Sequence, residues 1–201
     1  MEYYPEHHFK LPTSQDLAVR QPRVNTDLNR FHEFVCAMPG FRKNYFRYDV
    51  SDFDRCRDEL TSYNGHERWA LLAEMDGDIV ATGSIDRQPF AWSHHVAELR
   101  CTVAPPFTHL GIGRILLHQL VELATNQGIE RLFVEVLREH RGAQTKLAGE
   151  GFSQEAVRPK YVRDVYGNLH DVVVMSIHLQ DVWGRFEEML YEMDCRFSAG
   201  L

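Results

Sequence analysis

Apolar positions along this chain switch repeatedly between helical and strand spacing. In "GIGRILLHQLVELATNQG", Ile112, Ile115, Leu116, Leu120 and Leu123 share one helix face, widened by Leu117, Val121 and Ala124, and Gly128 supplies a left-handed C-cap. The preceding "HHVAELRCTVAPP" alternates Val96, Glu98, Arg100 and Thr102 with Ala97, Leu99, Cys101 and Val103 until Pro105 and Pro106 forbid further pairing, which predicts a strand. Two β-favouring runs in "ERWALLAEMDGDIVATGSIDR" flank Asp76-Gly77, a pair that tolerates the positive φ angles of a tight hairpin. Downstream, "RLFVEVL" reads as a strand and "EHRGAQTKLAGEG" as a shorter helix. "FSQEAVRPKYVRDV" and "LHDVVVMSIHL" form a strand pair turned at Gly167-Asn168.

Upstream, "DLAVRQPR" supplies a first strand and "VNTDLNRFHEFVCAMPG" a helix capped by Asn25 or Thr26 and stopped by Pro39-Gly40. "SDFDRCRDELTSY", after Ser51, reads as a capped helix with acidic residues in its first turn, and the rest of 41–65 carries no clear pattern. Residues 1–15, with Pro5, Pro12, His7 and His8, lack periodicity and are expected to form a surface or mobile arm. The tail "DVWGRFEEMLYEMDCRF" stripes Val182, Phe186, Met189, Leu190 and Met193 along one face, for packing on its own domain or for a dimer contact. The expected order is β-α-α-β-β-β-α-β-α-β-β, an α/β chain without repeats.

At 201 residues, with 44% hydrophobic and 25% charged, the chain fits one folded domain. The net charge of -7 and the lack of a basic stripe argue against a nucleic-acid partner and favour a cationic one. No run nears the length of a membrane span, and "MEYYPEHHFK" lacks the basic-then-apolar pattern of an export signal, so a cytoplasmic, membrane-free protein is expected. Cys36, Cys56, Cys101 and Cys195 are scattered, as reduced structural thiols would be.

Candidate chemistry concentrates where the glycines meet the helix. A strand, a glycine turn and a helix start make an anion site, because the first helical N–H groups lack intrahelical partners and the dipole's positive end points outward. Leu116 stands where a third glycine of the dinucleotide fingerprint belongs, and the Lys-Ser/Thr of a P-loop is absent, so neither of those phosphate sites fits. The turn "THLGIG" resembles instead the Gln/Arg-x-x-Gly-x-Gly/Ala loop of the GNAT superfamily of N-acetyltransferases. The resemblance extends from about Asp16 to Leu179 through the strand "AELRCTVAP", the strand "IERLFVEVL" and the closing "GF...KYVRD...DVVVMSIHL".

That resemblance implies a mixed, mostly antiparallel sheet flanked by helices over 16–179, an arm over 1–15 and a helical extension over 180–201. It implies acetyl-CoA as co-substrate, without a metal. Its pyrophosphate would lie on Thr108, His109, Gly111, Ile112, Gly113 and Arg114, and its thioester along the backbone of Cys101, Thr102 and Val103. The chain departs from the family at Thr108, which replaces the Gln/Arg donor and leaves His109 and Arg114 as substitutes. It departs again at His140 and Leu147, where the family usually carries an Asn and then a Tyr that protonates the leaving thiolate. A thiol with a reference pKa of ~8.5 leaves tolerably without that acid.

An alkylamine of pKa ~10.4 is held protonated near neutral pH at a cost of roughly 4 kcal/mol to attack, so a carboxylate base is the most useful group the protein can supply. Glu98 resembles that base in some family members; its alternative role is pairing with Arg100 to stabilise the sheet. His32-Glu33 starts a zinc-like motif, but Cys36 takes the second ligand position. His118 and Glu122 share a helix face that reads as solvated, and Cys101 reads as a packed thiol. The expected protein is therefore an acyl-CoA-dependent N-acyltransferase acting on a small-molecule amine or on a lysine or N-terminal amine of a protein. The alternative is a catalytically silent acyl-CoA-binding module.

Overall fold

The computed structural model describes residues 4–39, 49, 51–63, 66–164 and 166–181. Its elements run β1 (His7–Lys10), β2 (Asp16–Arg20), α1 (Val24–Cys36), α2 (Phe53–Ser62), β3 (Arg68–Met75), β4 (Asp78–Arg87), β5 (Val96–Val103), α3 (Ile112–Asn126), β6 (Arg131–Leu137), α4 (Arg141–Gly149), β7 (Ser153–Arg163) and β8 (Leu169–His178). The strands form one 8-stranded sheet in the order β1-β2-β3-β4-β5-β6-β8-β7, antiparallel at every pair except β5 with β6. Every element expected from 16 to 179 is present in its expected order, and the architecture is the mixed, mostly antiparallel α/β sheet.

Strand β3 shows why its sequence is an almost unbroken apolar run. Trp69, Leu71 and Ala73 enter the core under α3, while Ala70 and Leu72 enter a second core with Phe31, Val35 and Leu60 of α1 and α2. Helices thus cover both faces, and alternate side chains serve opposite cores. The hairpin turn matches the sequence: Asp76 and Gly77 adopt φ of 51° and 88°. Pro159 is tolerated because β7 is an edge strand, irregular between Arg158 and Val162.

Two expectations change and one gains its detail. Residues 7–10 are not arm but an edge strand paired with β2, and Tyr4, Phe9 and Leu11 beside it are buried; four residues with a single inward side chain are too short to show a period. Helix α1 starts before Asn25 and Thr26, at an Arg23 cap without a side-chain cap bond. Instead the Asp27 carboxylate, one position beyond that of a capping box, reaches back to accept from the Arg23 amide at 2.6 Å. Helix α2 is capped by Asp52, which accepts from the Arg55 amide at 3.0 Å. The stripe Val182 to Met193 and most of 41–50 lie outside the described residues. Among the described residues no helix is long and apolar enough to cross a membrane.

Candidate active site

The parallel pair that breaks the antiparallel pattern builds the site. β5 and β6 are in register only from Val96 to Glu98 against Arg131 to Phe133. β5 continues to Val103 and β6 to Leu137, so their C-terminal halves splay apart. From Leu99 to Thr102, β5 keeps its ladder to β4 but, among the described residues, has no strand opposite on the β6 side, so backbone polar groups there face a gap. The gap opens into a cleft of about 980 Å³.

At the mouth of the cleft the chain leaves β5 through Ala104 and a tight turn over Pro105–Phe107, then enters α3 at Gly111. Gly111 has φ of 82° with open space where a Cβ would be, so its requirement is the left-handed backbone itself. Gly113 has no such φ; a Cβ there would rest 3.4 Å from Val103 Cγ2 beside the cleft. The first turn is closed by Arg114 and Ile115, whose amides donate to the Gly111 carbonyl at 2.9 and 3.2 Å. The amides of Gly111, Ile112 and Gly113 find no backbone partner among the described residues, which leaves a cluster of N–H donors at the helix's positive end.

The expected cofactor residues gather on this cleft. Cys101, Thr102 and Val103 form one wall; Thr108, His109, Gly111, Gly113 and Arg114 the mouth; and His140, N-cap of α4, the opposite side. Ile112 is the exception: its side chain is fully buried in the core, so only its amide is at hand. The Thr108 hydroxyl is spent on the Pro105 carbonyl at 3.1 Å, and donates nothing into the cleft. Burial pushes the Cys101 thiol up to about 12, so it stays protonated and packed.

Residues 31–145 match the family model of the Acetyltransferase (GNAT) family. The chain belongs to that family. Its fold is shared by an acetyltransferase of the GNAT family from Streptococcus pneumoniae, at TM-score 0.69 and 19% identity over 81% of this chain and 99% of that one. It is shared by yncA from Salmonella typhimurium, solved with its cofactor acetyl-CoA, at 0.69 and 18% over 81% and 94%. A ribosomal-protein-alanine N-acetyltransferase from Brucella melitensis aligns at 0.70 and 21% over 80% and 98%. No curated protein matches the sequence.

Within this GNAT fold the two carboxylates nearest the splay stand differently. Glu98 is absent from the cleft lining. Arg100 grips it with two hydrogen bonds, Nε to Oε1 at 2.9 Å and Nη2 to Oε2 at 2.8 Å, while Arg100 Nη1 lies 3.9 Å from Asp86 Oδ2. The sheet-stabilising pairing with Arg100 is thus present. Glu135 of β6 lines the cleft, and sequence reasoning passed over it although a lone carboxylate inside the apolar run "RLFVEVL" was a visible signal. Burial raises its pKa and the Glu98 charge adds to the rise, against the pull of Arg158, which pairs with it, and of Arg100. A carboxylate shifted this way on a cleft is suited to proton transfer.

The remaining candidates resolve structurally. His118 is not on a solvated face: it is fully buried and bonds Glu150 at 2.9 Å, whereas Glu122 accepts from the Tyr4 hydroxyl at 2.9 Å. Helix α3 is covered on that side too, by α4's C-terminal end and the N-terminal segment. His32 Nε2 meets the Ser51 carbonyl at 2.9 Å and lies 3.5 Å from Cys36 Sγ. Among the described residues no group of three or more His, Cys, Asp or Glu is placed to hold a metal.

Proposed function

We propose that the protein is an N-acetyltransferase that passes an acetyl group from acetyl-CoA to a primary amine. The observation that carries this reading is the splay of β5 from β6, ending on the amides of Gly111 to Gly113, which have no backbone partner among the described residues. A long cleft with an anion site at its mouth and an unladdered strand edge inside suits a ligand with phosphates at one end and a thioester at the other. Acetyl-CoA, the cofactor carried by yncA of the same fold, is such a ligand.

On this reading Thr108 to Arg114 hold the phosphates by backbone and by Arg114 and His109, with Ile112 contributing its amide alone. The β5 edge at Cys101, Thr102 and Val103 orients the pantetheine arm and the thioester carbonyl, and His140 flanks it from α4. Glu135 takes the proton from the incoming ammonium, directly or through a water. Glu98, gripped by Arg100, adds to the rise that burial gives the Glu135 pKa rather than acting on substrate itself. The thiolate departs without a side-chain acid, since Leu147 lines the cleft where a tyrosine is expected. The acceptor is a small-molecule amine or a protein lysine or N-terminal amine; the last is included because one fold neighbour is named for a ribosomal-protein alanine.

The test is release of coenzyme A thiol against a panel of amines with mass detection of the products. Turnover with any amine that falls sharply in Glu135→Gln sustains the reading. Leu147 and the occupied Thr108 hydroxyl favour one alternative, a silent acyl-CoA-binding module, which would bind the coenzyme with no product from any amine.

A further inference from the structure

The mouth of the cleft carries an incongruous group. Glu150, at the C-cap of α4, puts a carboxylate on the lining of a site built to receive phosphates. Both its oxygens are engaged: Oε1 lies 2.8 Å from Arg114 Nε and Oε2 lies 2.9 Å from His118 Nε2. Arg114 and His118 stand four residues apart on the face of α3 turned to α4, so one carboxylate spans both.

The chemistry of each partner says what the contact does. An ionised carboxylate only accepts, which puts the ring proton of His118 on Nε2. Burial, the larger influence, keeps His118 below its ordinary pKa against the pull of Glu150, so the ring adds no charge at neutral pH. Arg114 is different. Its side chain is 58% exposed and is engaged at Nε, while its two Nη groups make no hydrogen bond among the described residues. A guanidinium ion-paired at Nε leaves its Nη edge available, the fork that matches phosphate oxygens in pairs. With the Thr108 hydroxyl turned to Pro105, Arg114 and His109 are the side-chain donors that the turn and α3 bring to the cleft, and Lys146 of α4 adds a cation to the lining.

We propose, on the coenzyme reading of the cleft, that Glu150 is a positioning residue: it fixes Arg114 with its fork toward the coenzyme's phosphates and so replaces the donor missing at Thr108. His118 is the buried anchor that keeps Glu150 in place. The carboxylate's charge is offset by the arginine it orients, and ordering that long side chain before the ligand arrives removes part of the entropy lost on binding.

The experiment is calorimetric titration with coenzyme A and with pantetheine, which has the same thiol arm but no phosphates. Glu150→Gln is expected to weaken coenzyme A binding about tenfold, shrinking the preference over pantetheine by the same factor, as losing an oriented charge-assisted pair would. The penalty should vanish in an Arg114→Ala background. Arg114→Lys, which keeps the charge without the fork, should weaken coenzyme A to a similar degree and needs no change at the buried histidine. Unaltered affinity in Glu150→Gln or in Arg114→Lys, or a penalty that persists without Arg114, overturns the proposal. A wild-type protein that binds no coenzyme A would overturn the reading of the cleft itself, a separate result.

Discussion

At the scale of single residues, the two glycines of the turn do different work. Gly111 carries a left-handed backbone, so Gly111→Ala is expected to lower stability by roughly 1 kcal/mol through strain alone, since nothing crowds the added methyl. Gly113 has helical geometry and only an ordinary contact with Val103 waiting for a Cβ. Gly113→Ala is therefore expected to raise stability by about 0.5 to 1 kcal/mol through helix propensity. Urea denaturation of both variants checks the opposite signs. For Glu135 the sign runs through its protonation: a base acts ionised, and burial raises its pKa, so kcat/KM should fall as pH drops through a value above the ordinary carboxylate range. Glu135→Gln should reduce kcat/KM about a hundredfold or more and flatten that acid limb in a pH–rate profile.

At the scale of elements, a buried ion cluster joins α1 to the sheet. Asp27, fully buried, accepts from Arg20 Nη1 at 2.7 Å and Nη2 at 2.8 Å, from Arg30 Nη2 at 2.5 Å and from the Arg23 amide, while Arg20 also reaches Glu74 of β3. Burial pushes the Asp27 carboxyl up, but these donors together hold it down at about 2, below its ordinary 3.8. The folded-state pKa is depressed, so the contribution is complete above the ordinary value and is lost as pH falls toward about 2. Asp27→Asn leaves Arg20 buried beside a neutral group and is expected to lower stability by about 3 kcal/mol at neutral pH. The variant's stability should also decline less steeply with acid, which denaturation curves at several pH values will show. Elsewhere the N-terminal segment is tied to α3 by the Tyr4 hydroxyl, whose single proton lies between two acceptors, Gln119 Oε1 at 3.0 Å and Glu122 Oε2 at 2.9 Å.

At the scale of the whole molecule, the sheet is split where β5 and β6 diverge, and that split is the cleft. Coenzyme A bound there only in the folded state adds about 2.7 kcal/mol at a hundredfold excess over its Kd. For a chain of this size that predicts a rise in Tm of roughly 5 to 10 °C in a thermal melt. An unchanged melt would leave the cleft without its proposed ligand. The net charge of -7 acts at this scale too, favouring encounter with a cationic amine over a polyanion.

Local pattern determined much of this protein in advance. The alternation in Val96 to Val103, the Asp76-Gly77 turn, the helix after Gly111 and the glycine turn that starts it are short-range properties, governed by backbone sterics and by which side chains sit two or four positions apart. The edge strand His7–Lys10 was not legible, because four residues with one buried side chain acquire a period only from the strand they pair with. Tertiary structure alone decided the partnerships. Glu98 turned to Arg100, Glu135 came to the cleft, and His118 went from an apparent polar face to a buried contact with Glu150, 32 residues away. A carboxylate's identity is written in the chain, but its role depends on which charges and how much water the fold leaves around it, and those neighbours come from other strands and helices.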